Sequence, residues 1–598
     1  MPNIIDRRDL EFILYDLLRA DRLFAAPVFA DITKETCAQI LDAAERLAEE
    51  KFQSHAAKSD ANEPRYVDGR AITIPEIKEA LDAFVEAGFM GARFDAEDGG
   101  LQIPFVVASA VSAIFGAANG PTFAYAMLTQ AAAALIGEHG DAVQKQKYMH
   151  PLVEGRWFGT MCLSEPQAGS SLADIRTRAE LQADGSYRVI GGKMWISGGE
   201  QEISENIVHM VLARISGAPA GVRGISLFIV PKFLVDDEGQ LGERNDITLN
   251  GLNHKMGNRG TTNTVLSFGD RGGATAYLVG EPNAGLAYMF KMMNEARIAV
   301  GTGAAALGCT GYLHALEYAK TRLQGRRPDE KDPEKPMVPL LEHADVKRML
   351  LQQKAYAEGA LALCLYAARM LDELRCAPEE ERERDALHLD FLTPIVKSWP
   401  SEFCLRANEQ AIQVHGGYGY TRDFPVERFF RDNRLNPIHE GTKGVQGIDL
   451  LGRKVRMKSG AALRDFDDRL AATIRDAKTS ALQAEAEALE QWRAIAMATT
   501  SEMLEHGEKK GDALYLANAT TYLDMMGHLS IAWIWLRMAM AAQARLQSAK
   551  SQHERDFLTG KLVACRYFYR YEAPAIEGWC ALLRKLDATC LDAPIEIF

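Results

Sequence analysis

The sequence contains no C-x-x-C pair, and its nine cysteines are odd in number and dispersed. That disfavours a disulfide framework or a zinc site and suits a reducing, cytoplasmic compartment. Positive charge is in deficit: 68 Lys and Arg against 81 Asp and Glu leave a net −13, a field that repels polyanions and argues against nucleic-acid binding. A local basic pocket for a phosphorylated ligand stays open. The most apolar late stretch, Leu529–Ala542, is interrupted by Ser530 and Arg537 and is too short to cross a bilayer, so it reads as a buried helix face and no integral membrane segment is expected. The N-terminal Met-Pro-Asn-Ile-Ile-Asp-Arg-Arg has neither an apolar core nor a small-residue cleavage site, so no export is expected. There is no P-loop, no G-x-G-x-x-G after a strand, no H-E-x-x-H and no G-x-S-x-G. Nucleotide hydrolysis, Rossmann binding, zincin chemistry and the usual hydrolase triad all lose ground. No metal site, tandem repeat or low-complexity tract is apparent.

What is present is an ordinary globular composition over 598 residues, 47% hydrophobic and 25% charged, enough for several domain-sized units. Leu10, Ile13, Leu14, Leu17 and Leu18 form a helical apolar stripe. Helical texture continues through Leu41–Glu50, Ile74–Ala87 and Ala108–Gly116 to about residue 155. Between 156 and 280 the period shortens, with β-branched runs at Tyr187–Ile190, His209–Ile215, Gly224–Val230 and Thr264–Phe268 separated by turn residues, as in a small antiparallel β domain. Helices return at Leu286–Arg297, Ala304–Arg322, Ala344–Leu374 and Asp385–Val414, with an exposed Pro-rich, charged loop expected over Gln324–Pro339. The expected domains are 1–155 helical, 156–280 β, 281–455 a helical bundle, and 456–598 an extra, nearly neutral helical domain.

Three segments carry chemistry. Met161-Cys-Leu-Ser-Glu-Pro-Gln-Ala-Gly-Ser170 places the Ser164 hydroxyl and a Gly-Ser turn where helix gives way to strand, able to hold a polar ring edge or a phosphate, or to be an ordinary turn. In Gly191-Gly-Lys-Met-Trp-Ile-Ser197, Trp195 and Ser197 share one face of a strand, suiting a flat cofactor or, alternatively, a core. Finally, Gln413-Val-His-Gly-Gly-Tyr-Gly419 is followed by the pair Arg428/Asp432 and then Pro437-Ile-His-Glu-Gly-Thr-Lys-Gly444. Glu440 there is a lone carboxylate before a Gly-Thr helix start. Burial against an apolar cofactor would raise its pKa and make it a general base; the alternative is a solvated loop carboxylate.

Together these segments resemble the acyl-CoA dehydrogenase family, over roughly residues 40–455 and in the right order. The first segment is similar to the family's first signature and the Gln413–Asp432 run satisfies the second. The resemblance implies a mainly α fold with a central β domain: an N-terminal helical domain, an antiparallel β-barrel domain and a four-helix bundle, here with a C-terminal helical extension. It implies FAD as cofactor and Glu440 as catalytic base. Met161, Leu163 and Ser164 match the stretch lining the flavin, while Trp195 and Ser197 match the Trp-x-Thr/Ser packing on its ring. Thr442 and Gly444 match positions at the FAD pyrophosphate. Arg322, Gln413, Gly416 and Gly417 match groups reaching the FAD of a neighbouring subunit, which implies an oligomer. Ser170, Asn294, Arg297 and Gly441 fall on the acyl-CoA side. The implied reaction is α,β-dehydrogenation of an acyl-CoA to the trans-2-enoyl-CoA, in fatty acid β-oxidation or a related pathway, with electrons passed to an electron-transfer flavoprotein. Close alternatives are an acyl-CoA oxidase using O₂ and a non-catalytic flavin-bearing relative.

Several positions depart from the family pattern. Ser171 replaces an Asp, with Asp174 one turn away. The family more often has an acid near Asn294. His439 precedes the base where an aromatic residue is common, and could either titrate near neutrality and tune Glu440 or pack as a neutral ring; His415 reads as backbone support. The 456–598 extension and the 324–339 insert resemble a bacterial subgroup that includes enzymes acting on 3-methylmercaptopropionyl-CoA and on medium- to long-chain acyl-CoA. An added helical unit could occupy the surface where a second dimer would sit, so a homodimer is expected.

Overall fold

The computed structural model describes residues 4–598, the side chains at positions 290–293, 380, 381 and 508 apart. It divides into two compact units: one takes in the chain up to Lys34, Phe105–Ala113 and Arg297–Phe598, the other Glu35–Pro104 and Ile114–Ala296.

The second unit is built on an eight-stranded sheet: β1 Trp157–Cys162, β2 Arg178–Leu181, β3 Tyr187–Ser197, β4 Asn206–Ile215, β5 Ile225–Pro231, β6 Ile247–Leu252, β7 Asn263–Phe268 and β8 Ala274–Leu278. Its path runs β6-β7-β3-β8-β5-β4-β1, and β2 pairs with both β3 and β4, so that β3, β8, β5, β4 and β2 close into a barrel. Most pairs are antiparallel as expected, but β4 runs parallel to β1 and to β2. The reason is connectivity: the β2–β3 hairpin separates β1 from β4, and the chain returns in the original direction. Period-two alternation sorts β4 between two cores. Val211 and Ala213 point into the barrel with Phe228 and Phe268, while Val208, Met210 and Leu212 meet Ala132, Leu135, Ile136 and Leu152 of the surrounding helices.

The first unit is helical. Leu10, Ile13, Leu14, Leu17 and Leu18 are all buried, on a helix Arg7–Glu11 that widens into a π turn over Phe12–Leu17. Its principal helices are α1 (Phe105–His139, of which the first turns belong here), α2 (Gly285–Thr321, from Arg297 onward), α3 (Ala344–Cys376), α4 (Glu379–His415), α5 (Val426–Asn433), α6 (Lys443–Ile448), α7 (Ala519–Leu546) and α8 (Gln552–Tyr567). The two helices expected over 286–297 and 304–322 are the single helix α2. Gly301 does not break it because Gly301 serves packing: a Cβ there would lie 2.1 Å from the Val396 carbonyl of α4. The Gln324–Pro339 loop is exposed and pinned at its neck, where Gln324 N–H donates to the Val338 carbonyl at 2.9 Å.

The extension packs on the bundle through α7. Trp535 donates to the Ala355 carbonyl of α3 at 3.0 Å, and Trp399 of α4 donates to His528 Nδ1 at 3.0 Å. The Leu529–Ala542 stretch is almost wholly buried, as its apolarity suggests. Among the described residues one helix, α1, is long and apolar enough to cross a membrane, and 78% of its most apolar window is buried inside the protein.

The start of α1 is closed by a distant residue. Asp372 on α3 accepts from the Phe105 and Val106 N–H groups at 2.6 and 2.9 Å, satisfying donors that Pro104 at the cap position cannot. Burial outweighs those bonds and lifts the Asp372 carboxyl from 3.8 to about 7. The folded chain therefore holds a proton here that the unfolded chain releases, and this contribution to stability declines as pH rises from about 4 to about 7. Asp372→Ala should cost ~1–2 kcal/mol, read as a lower urea midpoint of the helical signal. Asp372→Asn should flatten the fall in that midpoint between the acidic and neutral ends of this range.

Candidate active site

On the β unit, the first signature leaves β1 at Cys162 and is held by one buried ion pair. Lys193 on β3, wholly buried, donates to the Leu163 carbonyl at 3.0 Å and to Glu165 at 2.9 Å. Burial alone would raise the Glu165 pKa, but the Lys193 charge and hydrogen bonds from Thr177 and Arg176 outweigh it and hold the carboxyl at about 2. The Met194 N–H then donates to the Ser164 carbonyl at 3.0 Å. Met161 and Leu163 rest half-buried on the core, and Ser170 lies exposed beyond the Glu165–Ala168 bridge.

Just past Lys193 the strand bulges. Lys193 pairs with Leu266 and Ile196 with Thr264, so two residues oppose one, and Trp195 takes φ +67°. Ile196 stays in the core while the Trp195 indole turns out, 58% exposed, on the same side as Ser197. The expected shared face is therefore produced by a bulge as well as by strand alternation. Asn253 donates to Asn263 at 2.8 Å, and Asn263 donates to Ser197 Oγ at 3.2 Å, which leaves the Ser197 hydroxyl hydrogen to donate outward.

On the helical unit, Gln413, Gly416 and Gly417 are exposed at the end of α4. The exposed Arg322 joins them, its guanidinium 6.0 Å from the Tyr418 ring. His415 is a packing residue: its Nδ1 bonds the Ala411 carbonyl at 2.8 Å and its ring stacks on Tyr318 at 4.3 Å.

The Asn436–Thr442 loop lies between α5 and α6. Glu440 is exposed and takes the left-handed conformation, φ +50°, followed by Gly441 at +87°. A side chain in that conformation costs ~1–2 kcal/mol. It is held there by Gln446, which donates to the Glu440 carbonyl at 2.8 Å and leaves no room for a Cβ at Gly441, which would come within 2.4 Å of its amide. Among the described residues no acceptor faces the Glu440 N–H. Although the carboxyl reaches solvent, the protein atoms crowding it raise its pKa above the ordinary carboxylate value, against the pull of Lys397 and Arg297. Thr442 caps α6 weakly, its hydroxyl 3.4 Å from the Val445 N–H, and Gly444 follows, where a Cβ would make only an ordinary contact with the Thr442 hydroxyl at 3.8 Å.

Arg297, expected at the acyl-CoA entrance, is buried and bonds Asp449 at 2.8 Å; Asn294 is half-buried on α2. His439 does not titrate near neutrality: burial, then the nearby Lys397 charge, push it to about 3. It is a neutral ring bonded through Nε2 to Asn436 at 3.1 Å.

Sequence reasoning missed what anchors the loop. Asn436 donates to Asn433 at 2.9 Å, Asn433 to Asn408 at 2.7 Å, and Asn408 to the Leu307 carbonyl of α2 at 2.7 Å. The signal was legible in hindsight: Asn408 and Lys397 interrupt apolar stripes on α4, where an unpaired polar group would be costly.

Models of the acyl-CoA dehydrogenase N-terminal, middle and C-terminal domains match residues 34–156, 160–270 and 283–455, and an acetyl-CoA dehydrogenase C-terminal-like model matches 466–594. The chain is 36% identical to 3-methylmercaptopropionyl-CoA dehydrogenase of Ruegeria pomeroyi over 94% of each chain. It is 34% identical to the broad-specificity linear acyl-CoA dehydrogenase FadE5 of Mycobacterium tuberculosis over 97% of each.

The chain belongs to the acyl-CoA dehydrogenase family.

As an acyl-CoA dehydrogenase it is an FAD-dependent oxidoreductase. The fold agrees: Caenorhabditis elegans ACDH-11 in complex with C11-CoA superposes with a TM-score of 0.76 at 19% identity, over 99% of this chain and 95% of that one. An acyl-CoA dehydrogenase of Bacillus anthracis complexed with FAD gives 0.74 at 19%, over 98% and 94%. The residues present suit the cofactor. An outward-turned indole beside a hydroxyl with its hydrogen free matches the face and edge of a fused, heteroatom-bearing ring.

His439 should show no protonation step between pH 5 and 8. Titration of its imidazole carbon resonance, assigned by loss in His439→Gln, checks this; an inflection near neutrality would contradict the half-buried, uncharged ring.

Proposed function

We propose that this dehydrogenase converts a linear acyl-CoA to its trans-2-enoyl-CoA with Glu440 as the base, in acyl-CoA catabolism of the β-oxidation type. The observation that carries the reading is the Glu440 loop: a carboxylate with a raised pKa beside its own N–H, which no acceptor among the described residues engages, both held by a backbone turned left-handed. In this reading the Glu440 N–H donates to the thioester carbonyl and stabilises the charge that develops as the α-proton leaves. The Glu440 carboxylate takes that proton, and the β-hydrogen departs with its electron pair. FAD, when bound, supplies the two-electron acceptor. Trp195 and Ser197 would pack against and hydrogen-bond the cofactor ring, the Met161–Ser164 segment would line it, and Thr442 and Gly444 would meet its pyrophosphate. Ser170, Asn294 and Gly441 serve the acyl-CoA, while Arg297, already paired with Asp449, acts on the site through its charge.

The names of the two relatives at 34–36% identity support a short thioether-bearing acyl group or an unbranched chain as substrate. An electron-transfer flavoprotein is the proposed acceptor of the electrons, and a cytoplasmic homodimer the proposed working form. Exposure of Arg322, Gln413, Gly416 and Gly417 supports contact with a neighbouring subunit, and the α7 extension on the bundle supports stopping at two.

Anaerobic titration of the purified protein with a chain-length series including 3-methylmercaptopropionyl-CoA, following the flavin band, tests the substrate class: one or a few members should bleach it. Glu440→Gln should keep FAD and acyl-CoA binding yet lose ~10³-fold or more in flavin reduction; near-normal reduction refutes the base. Wild-type reduction should rise with pH through the raised Glu440 pKa. Light scattering should give twice the chain mass, and a tetramer would overturn the dimer.

A further inference from the structure

Lys397 lies on α4 with the apolar Phe391, Leu392, Ile395, Val396, Trp399 and Phe403. It is wholly buried, and Nζ donates to the Asn436 and Gly441 carbonyls, each at 2.7 Å. Those two carbonyls bracket Pro437, Ile438, His439 and Glu440. A single ammonium therefore closes both ends of the loop, while Gln446 and the Asn436–Asn433–Asn408 chain hold its middle and its flank.

The helix is shaped to deliver that ammonium. Pro394 and Pro400 stand on either side of Lys397 within α4. Each removes a helical N–H and frees a carbonyl one turn earlier. The Thr393 hydroxyl takes up the Asp390 carbonyl at 3.0 Å, and the Cys364 thiol approaches the Val396 carbonyl at 3.9 Å, where Gly301 of α2 also permits close contact. Thr393 of the same helix and Cys364 of α3 thus meet the two carbonyls that the prolines free.

Resting on the reading of Glu440 as base, we infer that Lys397 is the positioning residue of that base, clamping both ends of its loop and supplying the positive charge that keeps the crowded carboxylate able to ionise. The charged and titratable groups around it are few. Glu440 and His439 face it from the loop, Arg297 from α2 with Asp449 as its partner, and Glu402 from α4. Burial draws the Lys397 pKa down to about 8, with Glu440 opposing, so the clamp is charged through neutral pH and loosens above it. Arg297 is paired with Asp449 in a direct ion pair, whereas the two partners of the Lys397 ammonium are uncharged carbonyls. Both cations pull the Glu440 pKa down, Lys397 more than Arg297.

The test uses the FAD-loaded full chain. The Glu440 carboxyl band in the infrared, identified by its absence in Glu440→Gln, is titrated in wild type, Lys397→Met and Lys397→Gln, and amide exchange of the 434–447 segment is followed in the same proteins. Lys397→Met removes donors and charge. It should raise the Glu440 midpoint by about one pH unit or more and speed exchange about tenfold, with the acid limb of flavin reduction moving to match. Lys397→Gln, which keeps N–H donors without charge, should raise the midpoint equally and speed exchange less. An unmoved midpoint in either folded variant, or unchanged exchange in Lys397→Met, overturns the assignment. Should neither variant fold, wild type alone decides: exchange in 434–447 must accelerate above pH 8 beyond that of other loops, and parallel behaviour refutes the clamp. Full turnover by Glu440→Gln would refute the base itself, while the infrared and exchange readouts would still judge Lys397.

Discussion

An exposed carboxylate keeps one position only if something other than water holds it, and the Glu440 carboxylate is held by its own main chain. Glu440 takes a left-handed conformation that ordinary side chains avoid. That strain persists only because three carbonyls around it, those of Asn436, Glu440 and Gly441, each have a buried side-chain donor. The donors come from α4 and α6, and α4 is held against α2 by Gly301 and Asn408. Much of the packing in the helical unit can be traced outward from this requirement. Close helix contact, buried amides and proline-interrupted hydrogen bonding all serve to bring donors to one loop.

The β unit solves a related problem by different means. A closed barrel hides backbone polar groups but leaves flat apolar rings inside its core. The bulge at Met194–Trp195 reverses that for a single residue, turning the indole outward while Ile196 and Lys193 on either side remain buried. Lys193 in turn ties the first signature to the barrel through Glu165 and the Leu163 carbonyl. Both units thus use a buried lysine to fix an irregular segment, one through an ion pair and one through carbonyls alone. The difference in partners leaves one lysine electrostatically spent and the other able to influence a neighbouring acid.

The extension has a simpler logic. α7 is buried along most of its length, and such a helix needs partners on several sides. It finds them in α3, α4 and α8, and its Trp and His side chains direct their polar atoms into hydrogen bonds with the bundle. A surface that would otherwise expose the outer faces of α3 and α4 is thereby covered within one chain.

Local patterning was enough to place β3, β4, β5 and β7, most of the helices, the exposed Pro-rich loop and the family motifs, because period, turn residues and short motifs are properties of neighbours in sequence; it passed over β1, β2, β6 and β8. It also singled out Glu440, since a lone carboxylate before Gly-Thr is visible in the chain itself. It could not reveal that the 286–322 region is one helix, for Gly301 is a breaker locally and a packing necessity only against Val396. Nor could it tell that His439 is neutral, that Arg297 is already paired, or that Lys397, Asn408 and Asn433 anchor the Glu440 loop from as many as 40 or so positions away. Those facts depend on which groups share a low-dielectric interior, and burial of charge is decided by the folded surroundings and not by adjacent residues.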